Sequence, residues 1–163
     1  SLMEILLDLE VPAPEALLSE AANLLGTDGT KMSKSKGNTI ELGMDADTTA
    51  KVLKKAVTDA DRNITYDPTN RPEVSNLVLL AALASDRDPH EIAAEIGDGG
   101  GGTLKKVVTE AINEHFAPIR ARRTELAADP AYLEQILARG NARATEIADA
   151  TLDEVRAAMQ MTY

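Results

Sequence analysis

The stretch Gly26-Thr27-Asp28-Gly29-Thr30-Lys31-Met32-Ser33-Lys34-Ser35-Lys36-Gly37-Asn38 sets three lysines and two serines between flanking glycines. Glycine permits left-handed backbone and movement, lysine carries a point charge on a flexible stem, and serine donates to phosphate oxygens. Such a loop suits closure over a triphosphate, where cations stabilise the charge that grows on departing pyrophosphate. It is not a P-loop, because the glycine spacing ahead of a Lys-Ser/Thr pair does not match. A solvated basic loop would use the same residue types, so the pentamer at residues 31–35 gains meaning only from its context. With several glycines and Met32 as its one apolar anchor, the loop is expected to be mobile.

A second group of cations, Lys105, Lys106, Arg120, Arg122 and Arg123, falls mostly off the apolar stripe of one long helical segment. It offers a surface to RNA backbone phosphates. The alternative is a solvated face, paired at helical spacing with Glu110, Glu114 and Glu125. The two histidines, His90 and His115, sit on a capped helix and on an apolar face, and both read as structural. No metal-ligand constellation is present.

The elements that must position these residues are helical. Pro14-Glu15 opens a short helix through Leu17 and Leu18, and residues 4–11 form the only strand-like run. Asp47 is expected to cap a helix to about Ala60, with Val52, Leu53, Ala56 and Val57 on its apolar stripe. Residues 66–72 are a turn-rich connector, and residues 74–84, apolar nearly all round, form a buried central helix. Asp88-Pro89-His90-Glu91 opens the next helix, to Ile96. Asp98 and the four glycines after it are expected to form a loop, releasing a long helix over residues 103–127. Its stripe is Leu104, Val107, Val108, Ala111, Ile112, His115 and Ile119, and Pro118 should kink it. A helix from Asp129-Pro130 should end at Gly140-Asn141, and Thr151-Leu152-Asp153-Glu154 should cap a last one. The expected fold is all-α: a helical bundle over residues 47–163 behind an N-terminal loop segment over residues 1–46. No β-α alternation exists from which to assemble a Rossmann sheet.

Composition narrows the function classes. Without cysteine there is no disulfide framework, thiolate zinc site or thiol nucleophile. No apolar run approaches the roughly 20 residues that cross a bilayer, and the start lacks a basic signal-peptide region, so no membrane association and a cytoplasmic location are expected. The net charge of −10 opposes nucleic-acid binding in general. Residues 1–26 hold five acidic and no basic residues, and residues 129–163 hold six acidic residues and three arginines. The middle of the chain is therefore nearly balanced and has room for a local basic patch.

Lys31-Met32-Ser33-Lys34-Ser35 is identical to the lysine-serine motif of the class I aminoacyl-tRNA synthetases, and its flanks resemble the tryptophan branch of that family. Lys55-Ala56-Val57-Thr58-Asp59, Tyr66-Asp67-Pro68, Ser75-Asn76-Leu77, Ala117-Pro118-Ile119-Arg120 and the Ile136 to Ala144 stretch resemble the same branch. The resemblance implies activation of tryptophan by ATP, with Mg2+ on the nucleotide, and transfer of the aminoacyl group to tRNA(Trp). It implies Lys34 and Lys31 as catalytic cations and residues Lys31, Met32, Ser33, Lys34 and Ser35 as the ATP-phosphate loop, with Met32 anchoring it. The bundle would bind the tRNA anticodon arm, and the parent enzyme would be a homodimer. The family's His-x-Gly-His motif and tryptophan pocket are missing, so this chain alone should be catalytically incomplete and hold no cofactor. Two other readings share these residues: a free-standing helical module that binds RNA or protein, and a tyrosine synthetase fragment.

Overall fold

A computed structural model describes residues 16, 17, 19 and 21–161. The strand-like run at residues 4–11 and the start of the helix expected from Pro14 lie outside them; Ala16 and Leu17 belong to no regular element. Among the described residues the chain is helical, with α1 Ala46–Lys54, α2 Pro72–Ser85, α3 Pro89–Ile96, α4 Gly100–Ala127 and α5 Pro130–Ala158. The all-α expectation holds.

The described residues divide into two compact units, one within residues 19–123 and one that includes residues 124–161. In the first, Leu53 of α1, Val74, Leu77, Val78, Ala81 and Ala82 of α2, Ile92 and Ala93 of α3, and Leu104, Val108 and Ile112 of α4 form one core. Each fully buried leucine there contributes about 1.5–3 kcal/mol relative to an exposed one. The helix read as apolar all round is the most enclosed, and Asp88 caps α3 by accepting from the N–H groups of His90 and Glu91 at 2.8 and 3.1 Å. The two histidines are exposed: His90 meets Tyr66 edge-on, and His115 meets Phe116 edge-on while its Nδ1 lies 3.0 Å from the Ala84 carbonyl.

Three boundaries here differ from expectation. The cap of α1 is Asp45, whose carboxylate reaches the N–H of Thr48 at 2.6 Å, and the helix ends at Lys54. Val57 beyond it is half exposed, but its N–H is bound to the Thr27 carbonyl at 2.8 Å. The glycine run is not a loop: Gly97–Gly99 make a 3-10 turn, and α4 starts at Gly100 with φ +73°. A Cβ at Gly101 would stand 2.8 Å from Thr58 Oγ1, so the missing side chains let the first turn of α4 lie against the segment after α1. Pro118 sits inside α4 without ending it.

In the second unit, α5 runs unbroken through Gly140 and Thr151. Glycine costs a helix only about 1 kcal/mol, and the residues after it, Asn-Ala-Arg-Ala, let the helix continue. Thr151 turns its hydroxyl back to the Ile147 carbonyl at 3.1 Å, the bond of a mid-helix threonine rather than of a cap.

Between α1 and α2, Arg71 gathers the connector. Its guanidinium donates to both carboxylate oxygens of Asp59 at 2.7 and 2.8 Å, to the Asn63 carbonyl at 2.6 Å and to Thr65 Oγ1 at 2.9 Å. That pairing holds the Asp59 carboxyl below its ordinary range and raises the arginine.

Candidate functional site: a lysine-serine loop clasped by asparagines

The loop closes on itself through its backbone. The N–H of Gly26 donates to the Thr30 carbonyl at 2.7 Å, Met32 donates back to Leu24 at 3.2 Å, and Leu25 pairs with Lys31 as an antiparallel bridge. Thr27 donates to the Asn38 carbonyl at 2.9 Å, joining the loop's two ends. Lys34–Lys36 form one 3-10 turn that Gly37 ends in the left-handed region at φ +64°. The loop thus carries many more restraints than the single Met32 anchor read from the sequence.

Two asparagines complete it. Asn76 of α2, buried, accepts the Leu25 N–H at 2.8 Å and donates to the Leu25 carbonyl at 3.1 Å, standing in for a neighbouring strand. Asn38, 3 % exposed, accepts the Ser33 N–H at 2.8 Å. Its amide donates to Asp28 Oδ1 at 2.8 Å, to the Lys31 carbonyl at 3.2 Å and to Thr30 Oγ1 at 3.3 Å. The Asp28 carboxyl is held below the usual carboxylate range, first by Asn38 and then by the Thr30 N–H.

This framework separates the loop side chains. Lys31, Lys34 and Ser35 are exposed, with the Ser33 and Ser35 hydroxyls 2.9 Å apart. Lys36 is also exposed but donates to Thr30 Oγ1 at 3.0 Å. Met32 turns the other way, lining an apolar cavity of about 330 Å³ with Leu24, Ile40, Leu80, Ile112 and Phe116. The arrangement presents two ammonium groups and two hydroxyls on one short turn, while the thioether faces the core.

The second cation group divides. Lys105 and Lys106 line an open cleft of about 550 Å³ with Lys54 of α1, a companion the sequence reading missed. The Lys105 ammonium lies 3.4 Å from the Lys54 carbonyl, and Lys106 lies 3.9 Å from Glu110. Arg122 and Arg123 are exposed. Arg120 is engaged inward instead: it donates to Thr49 Oγ1 at 2.9 Å and to Asn113 Oδ1 at 2.8 Å, tying α4 to α1. An arginine one helical step from exposed ones looks alike in sequence, since only the packing of α1 shows which guanidinium is drawn in.

Asn38 and Asn76 were legible only as flanking residues of recognised motifs. A polar residue gives no sequence sign of burial when all its partners are backbone groups or other polar side chains of a loop.

The family described as tRNA synthetases class I (W and Y) matches residues 7–117. The tryptophan–tRNA ligase of Thermosynechococcus vestitus is 35% identical over 158 residues, covering 94% of this chain and 48% of that protein. That of a Nostoc species is 38% identical over 152 residues, covering 90% and 45%. The crystal structure of tryptophanyl-tRNA synthetase from Campylobacter jejuni, complexed with ADP and tryptophan, superposes with a TM-score of 0.66 at 30% identity, over 90% of this chain and 46% of that one. The Mycoplasma pneumoniae tryptophanyl-tRNA synthetase, 18% identical with a TM-score of 0.77 over 96% and 51%, shares the fold. The chain spans about half the length of the curated relatives it matches. With the matched family description covering most of the chain and relatives at 35–38% identity over nine-tenths of it, this chain belongs to the class I tRNA synthetases of the tryptophan and tyrosine group.

Proposed function

We propose that this chain is the C-terminal part of a tryptophan–tRNA ligase, which activates tryptophan with ATP and transfers it to tRNA(Trp) in the cytoplasm. The observation that carries the reading is the loop: an unsubstituted motif whose Lys31 and Lys34 stand exposed on a turn that the rest of the loop holds in shape. Residues 1–46 then serve the ATP phosphates, and residues 47–163 serve the tRNA.

In the activation step a carboxylate oxygen of tryptophan bonds to the α-phosphorus of ATP, and the bond to the β-phosphate oxygen breaks. The electron pair leaves with pyrophosphate, which departs with more negative charge than it carried in ATP. Lys34 stabilises that charge as it forms, and Lys31 meets the same phosphates. Ser33 and Ser35 donate from their hydroxyls, and Met32 fixes the depth of the turn. Mg2+ bound with the nucleotide would neutralise part of the same charge. The adenine and tryptophan pockets and the homodimer contacts belong to the length of the relatives that this chain does not span. Lys105, Lys106, Arg122 and Arg123, joined by Lys54, are the surface for tRNA phosphates. Among the described residues no helix is long and apolar enough to cross a membrane.

The reading is tested by tryptophan-dependent exchange of pyrophosphate into ATP. The full-length protein that carries this chain is expected to catalyse it, and the isolated chain is not. Exchange by the isolated chain would refute the division of labour, and exchange driven by tyrosine would assign the other branch of the family.

A further inference from the structure

We infer that Asn38 is a positioning residue for the phosphate loop, a clasp that sets the directions of Lys31 and Lys34 without touching the substrate. The role of the loop rests on the function proposed above; the clasp itself rests on geometry. Burying a primary amide is costly unless its donors and acceptor are used. Asn38 is almost fully enclosed in a loop whose Asp28, Thr30, Ser35 and lysines are exposed, and it uses all of its donors and its acceptor. The two backbone groups it holds, the Lys31 carbonyl and the Ser33 N–H, bracket Met32. Fixing both peptide planes sets where the Lys31 side chain leaves the backbone and where the 3-10 turn bearing Lys34 begins. The seat is made for this residue, because a Cβ at Gly26 would lie 2.3 Å from Asn38 Cγ. Asp28 then orients the amide: its carboxylate also takes the Thr30 N–H at 2.9 Å, so the Asn38 amide group turns toward Asp28 and its oxygen toward Ser33.

A clasp of this kind acts on the geometry of the departing charge and leaves tryptophan binding alone, so it separates kcat from KM. In the full-length protein, Asn38→Ala is expected to lower kcat for pyrophosphate exchange about ten- to a hundredfold, the scale of an ångström-sized misplacement of a catalytic group. The KM for tryptophan should stay within about twofold, since uniform binding is unaffected. Hydrogen exchange at the Ser33 N–H should accelerate, while that of α2 stays protected. Asn38→Asp keeps the acceptor for Ser33 but sets a second carboxylate against Asp28, and it should lower kcat at neutral pH. Adding Asp28→Asn to it returns a donor to that contact from the other side and should restore most of the loss.

Wild-type kcat and Ser33 exchange in Asn38→Ala would overturn the inference. So would a kcat loss accompanied by faster exchange throughout α2, or a double variant no better than Asn38→Asp. If the unsubstituted protein shows no exchange activity while Ser33 still loosens in Asn38→Ala, the synthetase reading falls and the clasp stands.

Discussion

Side chains of one chemical type take different work here according to what lies within reach. Of the three loop lysines, Lys36 reaches back to Thr30, while Lys31 and Lys34 are exposed. Of the arginines near residue 120, Arg120 braces α1 and the other two are exposed. Arg120→Ala in the isolated chain should therefore lower stability by about 1–3 kcal/mol, because Asn113 and the buried Thr49 lose a charged donor. It should leave the salt dependence of tRNA binding unchanged. Replacing Lys105 and Lys106 should do the reverse, removing roughly one unit of salt slope for each phosphate no longer neutralised while thermal unfolding stays put. A stable Arg120→Ala chain whose salt slope falls would put Arg120 on the RNA surface after all. The loop itself was legible because lysines, serines and glycines at fixed spacing are a motif in one dimension. The clasp residues were not, because Asn38 owes its role to groups at positions 28, 30, 31 and 33 that meet it only after the loop has folded.

At the scale of elements, helix positions followed from apolar periodicity and helix ends did not. The stripe of α4 buries Leu104, Val108 and Ile112 as its spacing requires, and Ile119 at its far end is half exposed. Helix ends depend on a balance of about 1 kcal/mol, which one neighbouring group can reverse. Asp45 won the cap of α1 over Asp47, and the glycine run joined α4 because residues that small fit against Thr58. Gly140 gives the sharpest test of an unbroken α5. No atom lies within 4 Å of a Cβ built there, so Gly140→Ala should stabilise the chain by about 0.5–1 kcal/mol. A glycine ending the helix in the left-handed region would respond with a loss instead. Thermal unfolding of the two proteins distinguishes the outcomes by sign.

The whole molecule explains why its charge misleads. A chain at −10 repels RNA at long range, and under the proposed function the surface for phosphates is local, where Lys54, Lys105 and Lys106 line one cleft. The chain spans about half the length of the curated relatives it matches and is helical among the described residues, so under the function proposed above the isolated chain is expected to be inactive in exchange. The central claim is that Lys34 acts on the departing pyrophosphate, and tryptophan-dependent pyrophosphate exchange by the full-length protein with Lys34→Ala tests it most directly. Loss of one preorganised donor to developing charge should lower kcat about a hundred- to a thousandfold and leave the KM for tryptophan little changed. A variant that keeps its kcat while its affinity for tryptophan collapses would contradict the account, placing Lys34 in amino-acid binding and away from the phosphates.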